Sequence, residues 1–389
     1  MAKHTQPTAE TTYRIYDDPQ RPGRKIVQLY LGHGEYVRRR AANAQAAEKI
    51  GQELVERQRE KLNVKVGALT LQAFVNIWWD KAIKHKDLAP KTKADYRDTL
   101  ERYVLPTWGT HRIDEFDAPL LIDMFAQISE QYTAQIAHRS LTKLHMVFDA
   151  ARRWKYIRDN PVADARKDVP ARSVSEKRPL TAPEVQQLLR ASAAHRHGVL
   201  YLLMVTLGTR LGETLGLQWL DVDWDANTIQ IRRQVQEIHG KISLREQTKT
   251  KAGTRTLPLP PHLRSQLWEL HERRGEAAFI FTNDEGRMLS PSLFSRHFRG
   301  GRVGRLNKDG TDKRIEGMRQ KANLPSYVTP HTLRHTVATR LKELGISEEI
   351  RADILGHGNT SITQHYSHTV LAPMREALEA LERAILSEK

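Results

Sequence analysis

The stretch that most restricts how this chain can fold is residues 327–368, YVTPHTLRHTVATRLKELGISEEIRADILGHGNTSITQHYSH. Its punctuation is helical. Thr329 stands at an N-cap position, Pro330 suits the first helical turn, and Gly345 ends the helix. Ser347, followed by Glu348 and Glu349, opens a second helix that Gly356 closes. Leu333, Val337 and Leu341 recur at four-residue spacing and predict the buried stripe of the first helix. His331 and Arg334 lie three apart, so they can point one way, off that stripe. The same stretch also carries His357, His365, Tyr366 and His368. A titrating imidazole beside a permanently charged guanidinium fork is chemistry suited to a phosphate.

Charge points to the same kind of partner. Lys plus Arg is 62 against 46 Asp plus Glu, a formal net charge of +16 with a pI near 9.9. Such an excess argues for a polyanion, nucleic acid ahead of an anionic membrane. No apolar run approaches the ~18–20 residues of a membrane span; the longest, Val199 to Val205, has the length of a core helix. The N-terminal MAKHTQPTAETT has no apolar centre and does not read as a secretory signal. There is no cysteine, which excludes disulfides and Cys-ligated zinc or iron–sulfur sites and fits a reducing cytosol.

At 389 residues the chain has room for two or three domains. Residues 1–62 predict a small module in which TYRIYDD and KIVQLYLG are strands separated by a Pro/Gly turn, followed by a helix-forming run from Ala41. Arg38, Arg39 and Arg40 of that module are either a DNA contact or a solvated face. Residues 63–163 read as all-helical, with Trp78, Trp79, Tyr96, Leu100, Tyr103, Val104, Met124, Leu144, Val147 and Phe148 as core and Asn160-Pro161 as the stop of the last helix. Lys91 and Lys93 there can touch phosphate or simply confer solubility. Residues 164–180 are poor in apolar residues and read as a basic linker. Thr181 and Glu184 then form a capping box that opens the largest unit, 181–389. That unit mixes helices with the strand-like runs TIQIRRQVQEI, KISLRE and TRTLPL, so the fold class is α+β with a small antiparallel sheet.

Several residues are placed for chemistry. Arg210 follows the tight turn at Gly208, with Glu213 three residues on, where a carboxylate can orient its neighbours. Lys249 sits on a Gly-containing turn between strands, from which an ammonium can reach into a groove and give up a proton. His357 lies just past a helix end, and Tyr366 nine residues beyond it. Taken singly, these are a helix junction, a surface lysine, a structural histidine and a core tyrosine.

Taken together they mean more. GTRLGE, KTKAGTRTLPL, HTLRH, LGHG and HYSH, in that order and spacing, closely resemble the tyrosine recombinase (phage-type integrase) family. The resemblance covers 181–389 through specific motifs and, less specifically, 67–162, which looks like the family's helical core-binding domain. Residues 11–60 resemble the arm-site-binding module of mobile-element integrases. It implies that Arg210 is the first catalytic arginine, Glu213 its acidic support, and His331 with Arg334 the His-x-x-Arg pair. It further makes His357 the third-box histidine, Tyr366 the nucleophile, and Lys249 the hairpin lysine, with Lys251 the alternative.

The resemblance also implies a mechanism. Tyr366 attacks the scissile phosphate, forming a 3′-phosphotyrosine and freeing a 5′-hydroxyl. Arg210 and Arg334 clamp the non-bridging oxygens, Lys249 protonates the leaving oxygen, His331 acts as acid and base toward the tyrosine, and His357 donates to the phosphate. The covalent bond conserves phosphodiester energy, so no cofactor and no metal is expected. The implied partners are double-stranded attachment-site DNA and three further copies of the chain, a homo-tetramer on paired sites. A directionality factor and a host DNA-bending protein are further candidate partners, and no membrane is expected. The last helix, roughly 374–387, either packs in cis or is exchanged between protomers. The implied setting is the cytoplasm of a bacterial host, on the nucleoid, with integration or excision of a prophage or other element as the outcome. Two other classes compete. A non-enzymatic, sequence-specific DNA-binding regulator would use the same basic helices. A zinc protease would use the His331/His335 spacing, but Thr332 stands where its glutamate is required.

Overall fold

The computed structural model describes residues 13–32, 35–66, 69–170, 178–246, 254–274, 277–302, 314–356 and 368–386. The chain divides into two compact units, Met1–Ser173 and Val174–Lys389.

The first unit begins with strands β1 (Tyr13–Asp17), β2 (Lys25–Gly32) and β3 (Glu35–Ala41), an antiparallel sheet in the order β1-β2-β3. Helix α1 (Ala44–Val66) covers one face. Strand alternation sends Tyr13, Ile15 and Val27 toward Ala47, Ile50 and Leu54 of that helix, a small core of its own. Gly51 makes the fit possible, because a Cβ there would run into the Tyr13 ring. That ring lies across the helix, and its hydroxyl donates to Glu48 Oε1 at 3.0 Å.

A helical bundle follows: α2 (Leu71–Trp78), continued by one π-turn, then α3 (Pro90–Tyr103), α4 (Leu105–Trp108), α5 (Ala118–Gln131), α6 (Ala134–Arg153) and α7 (Pro161–Asp168). Thr70, Asp117 and Thr133 cap α2, α5 and α6 through their side-chain oxygens. The i, i+3, i+4 sets Leu121–Met124–Phe125–Ile128 and Leu141–Leu144–Val147–Phe148 meet in the core. Of the ten expected core residues only Tyr103 stands apart from that core, half-exposed and edge-on to Tyr132. Asn160-Pro161 does not stop a helix, because α6 has already ended at Arg153. Asn160 instead caps α7, its Oδ1 accepting from the Val162 N–H, and Pro161 takes the first helical position. The stretch read as linker is accordingly helical as far as Asp168. Val162, Ala165 and Val169 share one face and are buried in the bundle.

The second unit contains α8 (Ala182–Ser192), α9 (Gly198–Leu207), α10 (Leu211–Leu215), β4 (Val222–Asp223), β5 (Thr228–Ile231), β6 (Arg233–Ile238), β7 (Lys241–Glu246), β8 (Arg255–Pro258), α11 (Pro261–Arg274), α12 (Pro291–Arg299), β9 (Gly301–Arg302), β10 (Arg314–Ile315), α13 (Met318–Lys321), α14 (Pro330–Glu343), α15 (Glu348–Leu355) and α16 (His368–Leu386). The Thr181–Glu184 capping box is formed. β4-β5-β8 make one antiparallel sheet, β6-β7 a hairpin turning at His239-Gly240, both at positive φ, and β9-β10 a short ladder. Helix α9, buried from Leu200 to Leu207, is the axis of this unit. α14 crosses it with Leu333, Val337 and Leu341 inward, the stripe expected from sequence. α16 packs in cis against α8, α9, α14, α15 and β8, burying Met374, Leu378, Leu381 and Ile385. Its buried Glu382 accepts from the N–H groups of His262 and Leu263 at 3.0 and 2.9 Å, neutralising the first turn of α11. Among the described residues no helix is long and apolar enough to cross a membrane.

Candidate active site

At the end of α9, Gly208 adopts φ +63°. A Cβ at this position would lie 2.8 Å from Leu355 Cδ2 and 3.0 Å from Val337 Cγ1, so both conformation and space demand glycine. The turn it makes delivers Arg210 to the N-cap of α10. There the Arg210 N–H donates to Glu213 Oε2 at 3.0 Å and its Nη1 to Oε1 at 2.7 Å. Glu213 is buried with 1% of its side chain exposed, whereas the Arg210 side chain is 43% exposed. The carboxylate forms the floor, and the outer edge of the guanidinium faces solvent.

Arg334 enters from α14. It does not project beside His331, as three-residue spacing allows, but points inward and is 4% exposed. Its Nη1 donates to Gly208 O at 3.0 Å and its Nη2 to Leu355 O at 2.6 Å, and those two bonds make its burial tolerable. His331 and His335 lie one turn apart on the exposed side of α14. Among the described residues no group of three His, Asp or Glu is gathered to hold a metal.

A third arginine completes the cluster, and sequence reasoning passed over it. Arg255 opens β8 and is 3% exposed. Its Nη2 donates to Glu213 Oε2 at 2.9 Å and its Nε to Ile354 O at 2.8 Å. The signal that could have found it is a charge at an inward position of TRTLPL, two residues from the buried Leu257. Arg210 Nη2 in turn approaches Gly356 O at 3.4 Å. Three consecutive carbonyls at the C-terminal end of α15, those of Ile354, Leu355 and Gly356, therefore each receive a different guanidinium. These carbonyls have no intrahelical partner and carry the negative end of the helix dipole, so cations belong there.

The electrostatics follow from this geometry. Burial pushes the Glu213 carboxyl up, but Arg255 and Arg210 outweigh it and hold the group at about 2. Burial, together with the neighbouring Arg210, pushes Arg334 down to about 10, still protonated at neutral pH. A fully ionised cluster with more guanidinium than carboxylate results, and one of its arginines opens to solvent. Such an arrangement can receive a phosphate.

The remaining sequence-derived site residues fall in several places. Lys249, Lys251, His357 and Tyr366 lie outside the described residues. By chain order His357 directly follows Gly356, and Lys249 and Lys251 fall between β7 and β8. In the N-terminal sheet Arg38 and Arg40 share the face opposite α1, while Arg39 pairs with Val27 on the helix-facing rows. Arg38 Nε donates to Gln28 Oε1 at 3.1 Å, and Arg14 lies across Gln28 on the other side. Arg40 is ion-paired with Asp18 at 3.0 Å. Lys91 is exposed in the first turn of α3, whereas Lys93 donates to Lys84 O at 2.7 Å.

Comparison with known proteins gives these elements a family. The Phage integrase family profile matches residues 178–371, and the Phage integrase central domain profile matches residues 71–168. A XerC-like tyrosine recombinase of Caldanaerobacter subterraneus is 26% identical over 83% of this chain and 85% of its own length. The fold resembles that of the Tn1549 transposon integrase in complex with a circular intermediate DNA, with TM-score 0.63, 20% identity, and 78% and 97% of the two chains covered. It also resembles a lambda integrase tetramer bound to a Holliday junction, with TM-score 0.57, 18% identity, and 90% and 91% covered. With both domain profiles matched in order, and the helical bundle and arginine cluster lying within them, the chain belongs to the tyrosine recombinase, or phage integrase, family.

Proposed function

We propose that this recombinase is the integrase of a prophage or other integrative element, cutting and rejoining attachment-site DNA through a 3′-phosphotyrosine at Tyr366. The observation that carries this reading is the convergence of Arg210 and Arg334 on the end of α15, with Glu213 beneath Arg210. Arg210, open to solvent, takes a non-bridging oxygen of the scissile phosphate, and the deeper Arg334 supports the same charge as it grows. His331, on the exposed side of α14, serves the tyrosine hydroxyl as acid and base, and His357, one residue past Gly356, donates to the phosphate. Lys249, or Lys251, protonates the 5′-oxygen as it leaves.

Residues 63–169, α7 included, act as the core-binding domain, with Lys91 contacting backbone phosphate, and the chain beyond leads into the catalytic domain 181–389. Residues 1–62 bind a second class of DNA site through the sheet face opposite α1, where Arg14, Gln28 and Arg38 form one cross-strand row. The active assembly is a tetramer on paired sites in the host cytoplasm, assisted by a directionality factor or a DNA-bending protein. Exchange of α16 between protomers would substitute a partner's helix for the cis contacts of Leu378 and Leu381.

The deciding experiment incubates the protein with a nicked suicide duplex carrying its attachment core and resolves covalent adduct on a denaturing gel. The native protein forms the adduct and Tyr366→Phe does not, while both bind the duplex alike. An adduct that persists in Tyr366→Phe removes Tyr366 as nucleophile. Its absence from the native protein on a site that it binds favours the DNA-binding regulator.

A further inference from the structure

We propose that Arg255 is a positioning residue of the phosphate clamp, fixing Arg210 through Glu213 and fixing the end of α15 through Ile354. The proposal rests on the functional reading above and gives a role to a residue of KTKAGTRTLPL to which the resemblance assigned none. Arg255 grips two elements at once. Its Nη2 holds the Glu213 oxygen that also accepts the Arg210 backbone N–H, and its Nε holds the first of the three carbonyls that receive the arginines. It therefore sets the position of a carboxylate whose other oxygen binds the Arg210 guanidinium at 2.7 Å.

A purely stabilising role fits Arg255 poorly. A buried ion pair costs so much desolvation that apolar residues of similar volume are often as stable or more so. The cost is raised here because Arg255 Nη1 is buried and has no hydrogen-bond partner among the described residues. Its partners sit 42 and 99 residues away in sequence, on α10 and α15, so what the side chain accomplishes is registration of separate elements. The planar fork matters to this task. One donor edge serves Glu213 and another serves the helix end, and a lysine's single ammonium cannot hold that geometry.

Arg255 does not face the substrate, so its loss should leave DNA affinity alone and slow the chemical step. The test is a double-mutant cycle on the full chain, read as single-turnover adduct formation on the nicked duplex. Arg255→Met in the native background is expected to slow adduct formation by roughly 10–100-fold, the magnitude that losing an orienting partner has at metal sites, taken over here by analogy. In an Arg210→Lys background, where no fork remains to be oriented, the same substitution should cost no more than about threefold. Equal factors in the two backgrounds would mean that Arg255 acts generally on the fold, and would overturn the proposal. Unchanged adduct formation by Arg255→Met would overturn it as well. Thermal unfolding and duplex affinity are measured on every variant, so a misfolded protein is recognised. If Arg255→Met does not fold, Arg255→Lys, which keeps the charge and loses the fork, replaces it in the cycle, and the same two results overturn the proposal. Adduct formation by the native chain tests the functional reading separately from this ratio.

Discussion

Replacing Glu213 by Gln removes one buried charge and changes little volume, so its consequences can be worked from the geometry. Glu213 accepts from the Arg210 backbone, the Arg210 guanidinium and Arg255 at 2.7–3.0 Å, with 1% of its side chain exposed. Two estimates of its worth agree. Removing one partner of a buried ion pair costs about 3–5 kcal/mol, because the other charge is left uncompensated. Independently, a carboxyl held at about 2 against an ordinary 4.5 corresponds to about 3 kcal/mol of preference for the charged form. The expected loss on Glu213→Gln is therefore about 3 kcal/mol at pH 7. The sign of the pH dependence follows. The folded-state pKa is depressed, so this contribution is complete above pH 4.5 and disappears as pH falls toward 2. The gap between native and Gln forms should shrink to about half at pH 3. Hydrogen-exchange mass spectrometry at pH 7 reads the effect locally. Backbone amides of α10 and β8 that exchange through local opening should exchange roughly a hundredfold faster in the variant, while those of the 71–168 bundle remain unchanged as an internal control. Urea unfolding at pH 7 and pH 3 reads the linkage. A change in α10 and β8 of less than about fivefold would refute the view of Glu213 as the electrostatic keystone, and so would a stability difference that persists undiminished in acid.

Two further outcomes are expected elsewhere in the molecule. Arg14→Gln and Arg38→Gln should each lower the salt slope of binding by the 1–62 module by about one unit while leaving core-site cleavage intact, whereas Arg39→Gln, on the helix-facing side, should do neither; competition titrations across salt concentrations measure this. His197 is buried, and burial followed by the neighbouring Arg196 lowers it to about 3, so it folds neutral. The unfolded chain takes up the proton first, so stability should fall by up to about 1.4 kcal/mol per pH unit from pH 6.5 toward 3, and His197→Phe should flatten that part of the urea-unfolding profile.

Features of this fold that depend on neighbours in sequence were legible; those that depend on pairing across the chain were not. Caps are local, so Thr181–Glu184, Ser347 and Gly356 were placed from residue type alone and are found there. Even local signals can face two ways, however. Asn160-Pro161 is as good a helix start as a stop, and burial of Val162, Ala165 and Val169 decides for the start. The run Arg38-Arg39-Arg40 looks uniform in sequence, but alternation in β3 turns Arg39 to the opposite face from its neighbours, and only the register with β2 reveals which. Arg255 is the sharpest case. Nothing close to it in sequence accounts for a buried guanidinium, because its partners arrive from α10 and α15.

The arginine cluster also accounts for the sharp helical punctuation of the C-terminal region. Guanidinium groups brought this close repel one another, and burial of Arg255 and Arg334 deprives two of them of water. One carboxylate cannot neutralise three cations, so the rest of the compensation must come from dipoles. The end of α15 supplies them, provided that the helix stops at Leu355 and leaves its last carbonyls free. Gly356, at φ +67°, is what stops it. Carbonyls carry only partial charge, so the cluster keeps a net positive field in the absence of DNA. In phosphoryl transfer by in-line attack the negative charge grows between the diester and the transition state, and a fixed positive field gains most from that growth. The helix end that makes the field tolerable also leads directly into His357 and on to Tyr366. If Tyr366 is the nucleophile, as proposed above, the terminator that frees these carbonyls for the arginines is also the last described residue before the segment that carries it in sequence.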